Sequence, residues 1–123
     1  MIVSEHPLPS TGVFRLSIKV VEAGYSGMYI GIVSEKTHLR QFDFHKEAMT
    51  YYAGDGEVAY NGKYHKVDGK KLENDDVVDI LVNWDAMAIS WFANSKLLTT
   101  VPIRKEFVGE RIFANVIMRW VDQ

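Results

Sequence analysis

Two groups of residues in this chain are of types that hold metals or move protons: the histidines His6, His38, His45 and His65, and the carboxylates Asp75, Asp76, Asp79 and Asp85. No two histidines stand at the i, i+4 spacing that brings two imidazoles onto one helix face for zinc, so they read as isolated side chains. A carboxylate pair flanking a scissile bond is the chemistry of glycoside hydrolysis. Here the acids gather at the ends of an apolar run, where solvated turn and strand-edge acids are the more economical reading. The sequence has no Gly-x-Ser-x-Gly elbow, no glycine-rich phosphate loop followed by lysine and no dinucleotide fingerprint. Without cysteine it also has no thiolate nucleophile or ligand. The expectation is a non-catalytic chain with no metal and no cofactor.

Binding chemistry is better represented. Lys63, His65, Lys66, Lys70 and Lys71 interleave with Tyr60 and Tyr64, a mixture that can grip a phosphate backbone. The same residues also suit a solvated hairpin tip, and a formal charge of -2 leaves no overall footprint for nucleic acid or an anionic membrane. Tyr51, Tyr52, Tyr60 and Tyr64 hold most of the six tyrosines, whose amphipathic rings suit a contact surface. Tyr51 and Tyr52, as strand neighbours, must face opposite sides, so one of the two belongs to the core. Trp91, between Ile89 and Phe92, is expected to be buried. Trp84, beside Asp85-Ala86-Met87, either seals one end of the fold or anchors a partner.

The elements that must position these residues are strands. Phe14, Leu16, Ile18 and Val20 alternate with Arg15, Ser17 and Lys19, the period of a half-buried strand. After Gly24, Ser26 and Gly27 the alternation restarts at Met28, Ile30 and Ile32, so a hairpin between these two strands is expected. Residues 34–48 are polar and weakly patterned and read as a long loop, the kind of segment that tends to carry function. Asn61-Gly62 between Tyr60 and Tyr64 signals a type I′ turn. Val78, Ile80, Val82 and Trp84 share one face of a strand whose other face carries Val77 and Leu81, a two-sided burial that suits a central position. Ala114, Val116, Met118 and Trp120 form a last strand expected to pair back with an early one. Roughly seven to nine short strands with no helix period point to an all-β, two-sheet antiparallel β-sandwich.

Composition agrees. The 123 residues suit one domain, and 47% hydrophobic with 24% charged residues is the balance of a globular chain. No run of about 18 apolar residues occurs, and Met1–Pro9 has neither a basic start nor a long apolar stretch, so no signal or spanning segment is read there. The lack of cysteine favours an intracellular setting, cytoplasmic or nuclear.

The run Asp75-Asp76-Val77-Val78-Asp79-Ile80-Leu81-Val82-Asn83, followed by Ala88-Ile89-Ser90-Trp91-Phe92 and the turn Asn94-Ser95, resembles the signature of the SPRY (B30.2-like) family. In that family a Gly-Asp-Val-Ile-Gly strand precedes an Ile-Ser-Phe strand and an Asn-Gly turn. Tyr29-Ile30-Gly31-Ile32-Val33 matches the family's short Ile-Gly-Val strand, and Tyr51-Tyr52-Ala53-Gly54-Asp55-Gly56 its aromatic residues before a glycine turn. Asp79 and Ser95 stand where the family shows glycine. The resemblance spans about residues 13–120. It implies a SPRY/concanavalin A-like jelly-roll sandwich over 13–123 after a lead-in at 1–12, acting as a non-catalytic module that binds a peptide or protein partner through its loops. By that pattern His38, Arg40 and His45 are the leading contact residues, with Tyr25, Tyr51, Tyr64 and Arg104 behind them. Two other roles stay open: a lectin-like site around Asn83, Trp84 and Asp85, and assembly through an exposed sheet edge.

Overall fold

A computed structural model describes residues 2–3, 6–19, 28–35, 48–52, 56–60, 63–66 and 72–118. In chain order the strands are β1 (Ile2–Val3), β2 (Val13–Lys19), β3 (Met28–Ser34), β4 (Ala48–Tyr52), β5 (Glu57–Tyr60), β6 (Lys63–Lys66), β7 (Val77–Asn83), β8 (Ala88–Ala93), β9 (Lys96–Pro102) and β10 (Ile112–Met118). A single 3-10 turn, Lys105–Phe107, lies between β9 and β10. The strands form a six-stranded sheet in the order β1-β10-β3-β4-β5-β6 and a four-stranded sheet in the order β2-β7-β8-β9, with every pairing antiparallel. This is the β-sandwich that the strand periodicity and the resemblance imply.

Alternation decides which strands sit inside. In β2 Phe14, Leu16 and Ile18 are half-buried while Val13, Arg15, Ser17 and Lys19 are exposed, so one face is polar and the strand takes an edge. In β3 every described side chain from Tyr29 to Ser34 is buried, which requires a place inside a sheet. The expected β2–β3 hairpin is therefore not formed. β2 pairs with β7, matching Leu16 to Ile80 and Phe14 to Val82, whereas β3 lies between β10 and β4 in the other sheet. Pairing β2 with β3 would have exposed the outer face of a strand with no polar side to offer. The central position expected of β7 and the pairing expected of β10 hold, although on the second face of β7 Val77 is exposed and Leu81 only half-buried. β7 is flanked on both sides, and β10 pairs back with β3 over Ile112–Met118. The lead-in also contributes, since Ile2 pairs with Val116.

The core lies between the sheets and joins Ile30, Ile32, Met49, Tyr51 and Val58 to Val78, Ile80, Val82, Ile89 and Trp91. Trp91 is fully buried, as its neighbours predict, and its indole N–H donates to the Ile30 carbonyl of the opposite sheet at 3.0 Å. Gly31 follows that acceptor. A Cβ at Gly31 would fall inside the contact distance of the Met49 carbonyl, so β3 and β4 approach as closely as they do only because no side chain is present.

The acids depart from the solvated reading in two places. Asp75 and Asp85 are exposed, but Asp76 and Asp79 are only 6% and 7% exposed. Asp76 accepts from the Glu73 amide at 2.8 Å and from Asn94 Nδ2 at 2.8 Å, while Asn94 Oδ1 accepts from the Val77 amide at 3.0 Å. These bonds tie the turn before β7 to the β8–β9 turn. Asp79 accepts from the Ser17 hydroxyl and lies 3.9 Å from Arg15, whose guanidinium sits over the Phe92 ring. Both carboxylates are thus committed to structure, because a buried charge persists only when it is bonded.

Two stability changes are expected. Asp76→Ala strands two donors and should cost about 2 kcal/mol in urea denaturation. Asn94 and Ser95 both have positive φ, 51° and 71°, as a type I′ turn demands. Ser95→Gly should therefore raise the unfolding free energy by about 0.5 to 1 kcal/mol, seen as a higher urea midpoint, since a left-handed serine is strained where glycine is not.

Candidate functional site

At the end of the four-stranded sheet where Val13, Asn83, Ala88 and Pro102 lie side by side, the surface opens into a cleft of about 270 Å³. Its described lining comes from three segments distant in sequence: Ser10, Thr11 and Gly12 before β2; Trp84, Asp85 and Met87 between β7 and β8; and Phe107, the last residue of the 3-10 turn, with Val108 and Gly109 after it.

Backbone bonds fix each wall. The Trp84 amide donates to the Gly12 carbonyl at 2.8 Å, and the Trp84 indole N–H to the Pro9 carbonyl at 2.9 Å. Asn83 Oδ1 caps the turn by accepting from the Ala86 amide at 2.9 Å, and the Ile103 amide donates to the Met87 carbonyl at 2.9 Å. In the third wall the amides of Phe107, Val108 and Glu110 donate to the carbonyls of Arg104, Lys105 and Phe107. Gly12 and Gly109 have φ of 77° and 81°, so the chain turns into and out of the cleft in a conformation that glycine adopts without strain. A site held this way is already formed before anything binds, which removes part of the ordering cost of association.

The chemistry of the lining is mainly apolar. Phe107 is buried and floors the cleft, Trp84 and Met87 are half-buried and pack on the core, and Val108 is 59% exposed at the rim. Val13, which follows the lining residue Gly12 in the chain, is 54% exposed. Arg104 stacks over the Phe107 ring and pairs with Glu106 at 3.1 Å. The Glu106 carboxyl is held below the ordinary carboxylate range, chiefly by a backbone hydrogen bond, with desolvation opposing it and Arg104 and Lys105 adding to the lowering. Arg104 therefore supports the floor of the cleft and has its charge already matched.

The residues expected to make contacts are distributed unevenly. Tyr25, His38, Arg40 and His45 lie outside the described residues, as does most of the long loop at 34–48. Tyr64 is in β6, the outer strand of the six-stranded sheet, with its side chain outside the description. Tyr51 is corrected. It is wholly buried in the core, so it is the inward member of the Tyr51-Tyr52 pair and offers no ring to a partner. Of the expected residues whose side chains are described, Arg104 approaches the cleft, stacked on its floor residue Phe107. Trp84 packs against the core at this end of the sandwich and also lines the cleft. Val108 and Phe107 were not singled out in the sequence. An apolar pair just before Gly109 was the available signal.

Tyr51→Ala should cost about 3 to 5 kcal/mol in chemical denaturation, as other large-to-small aromatic core changes do. Val108→Asp, on an exposed rim, should stay within about 0.5 kcal/mol of wild type.

No protein-family model and no curated protein matches the chain. Solved structures do. The SPRY domain of human HERC1 superposes with a TM-score of 0.73 at 14% identity, covering 98% of this chain and 74% of that one. A second human SPRY domain gives a TM-score of 0.67 at 20% identity, covering 97% of this chain and 78% of that one. The likeness extends over nearly the whole chain and establishes a SPRY-like fold.

Proposed function

We propose, from this SPRY-like fold, that the protein is a non-catalytic interaction module that takes a peptide or a protruding segment of a partner protein into the cleft at the end of its four-stranded sheet. The observation that carries the reading is the cleft itself: preformed, walled by three backbone-bonded segments, apolar at its floor and exposed at its rim. Buried aromatic anchors surrounded by an exposed apolar rim are the usual make-up of the energetic centre of a protein interface. SPRY domains are interaction modules, and the same role is assigned here on the strength of the fold and the cleft together. His38, Arg40, His45, Tyr25 and Tyr64 are proposed to extend the contact around it. An intracellular setting, suggested by the absence of cysteine, is part of the proposal.

A sugar-binding role has one observation in its favour, since Trp84 and Asp85 both line the cleft. Against it, Asn83 is absent from the described lining and its side-chain oxygen accepts from the Ala86 amide within the turn.

Affinity capture from native cell extract should enrich a protein with the wild-type chain and lose it with Val108→Asp, both chains melting within a few degrees of each other. Equal capture by the two would place recognition away from the cleft. Retention of glycans on an array, with no protein captured, would move the assignment to sugar.

A further inference from the structure

The cleft is apolar but not neutral, and its charge specifies what it takes. Among the described lining residues Asp85 is the single charged side chain, and it is exposed at the tip of the β7–β8 turn. Arg104, three residues before the cleft floor, is paired with Glu106 and turned onto Phe107, and the exposed Lys105 that follows it is not part of the lining. The remaining polar side chains of the lining are the hydroxyls of Ser10 and Thr11, which carry no charge. An apolar trough with one anionic group at its mouth complements a ligand that is apolar along its length and cationic at its end.

From this we infer that the cleft recognises an extended peptide segment presenting an arginine or lysine next to an apolar residue. The inference rests on the proposed binding role and adds the chemical class of the ligand. A lysine or arginine side chain has the required shape, because its methylene stem lies along apolar surface while its charged head reaches outward. The stem packs against Met87 and Val108, the head meets the Asp85 carboxylate, and the Trp84 ring supplies a π face to the cation. The neighbouring apolar residue covers Val13 and Val108, the two strongly exposed valines at this end of the sheet. An acidic segment finds no unpaired cation in the described lining and is repelled by Asp85, which makes that group a discriminator as well as a contact.

The test is a selection from a random peptide library displayed on phage, using the full chain in four forms: wild type, Val108→Asp, Asp85→Asn and Asp85→Lys. Wild type is expected to enrich sequences with Arg or Lys beside an apolar residue. A synthetic peptide from that set should bind at least about tenfold more weakly to Val108→Asp. Binding to Asp85→Asn should fall about two- to fivefold, the size of an exposed ion pair, with a shallower dependence on salt than wild type. Asp85→Lys should turn the selection toward Asp- or Glu-bearing peptides. If the enriched peptides are lost with Val108→Asp yet are acidic or indifferent to Asp85→Lys, the ligand chemistry is wrong and the cleft stands. If wild type retains no peptide, the ligand class is wrong; if Val108→Asp leaves binding unchanged, the cleft is not the recognition site and both readings fall.

Discussion

The hydrogen bond from the Trp91 indole to the Ile30 carbonyl sets the frame in which everything else is placed. Two sheets facing one another share no ladder, and the hydrophobic effect that holds them is non-directional, so packing alone leaves them free to slide. A buried indole N–H is different. It must find an acceptor or cost about 1 to 3 kcal/mol, and the acceptor here is a backbone group whose position cannot change without breaking β3. The bond therefore pins one sheet over the other at the centre of the core. Gly31, the next residue, lets β3 and β4 close up at the same place, so the acceptor is presented where these two strands approach closely.

With the sheets in register, the two ends of the four-stranded sheet acquire opposite characters. At the end where Val77 meets Asn94 the chain is tied shut by Asp76 and Asn94, whose side chains bond each other and the backbone on both sides. At the other end the side chains of Asn83 and Trp84 spend their polar atoms on the backbone behind them and leave the apolar faces of Trp84, Met87 and Val108 around an opening. The first arrangement satisfies every group it uses internally. The second satisfies its backbone internally and leaves its side-chain surface for another molecule.

Strands and their burial were largely legible, because period-2 alternation is a local property. The inward apolar face of β2, the central place of β7 and the depth of Trp91 could all be read from a few neighbouring residues. Sheet membership was less accessible. β2 and β3 are adjacent in sequence and both alternate, and only the need of β3 for cover on both faces separates them. Asp76 and Asp79 look like surface acids because what buries them, Asn94 in one case and Ser17 with Arg15 in the other, comes from elsewhere in the chain. Parity showed that one of Tyr51 and Tyr52 had to point inward without showing which. The cleft was least legible of all, since residues near 10, 85 and 108 meet only once both sheets are assembled, and no stretch of the sequence contains more than a third of it.

The two described tryptophans occupy environments that make them separate optical reporters. Trp91 is sealed in the core with its N–H bonded to the opposite sheet, so its emission answers to loss of the fold and to little else. Trp84 is half-buried with one face toward the cleft, and a ligand that displaces water there changes the polarity around its ring while leaving Trp91 untouched. The protein thus carries, in one chain and without a label, one chromophore for its integrity and another for its occupancy.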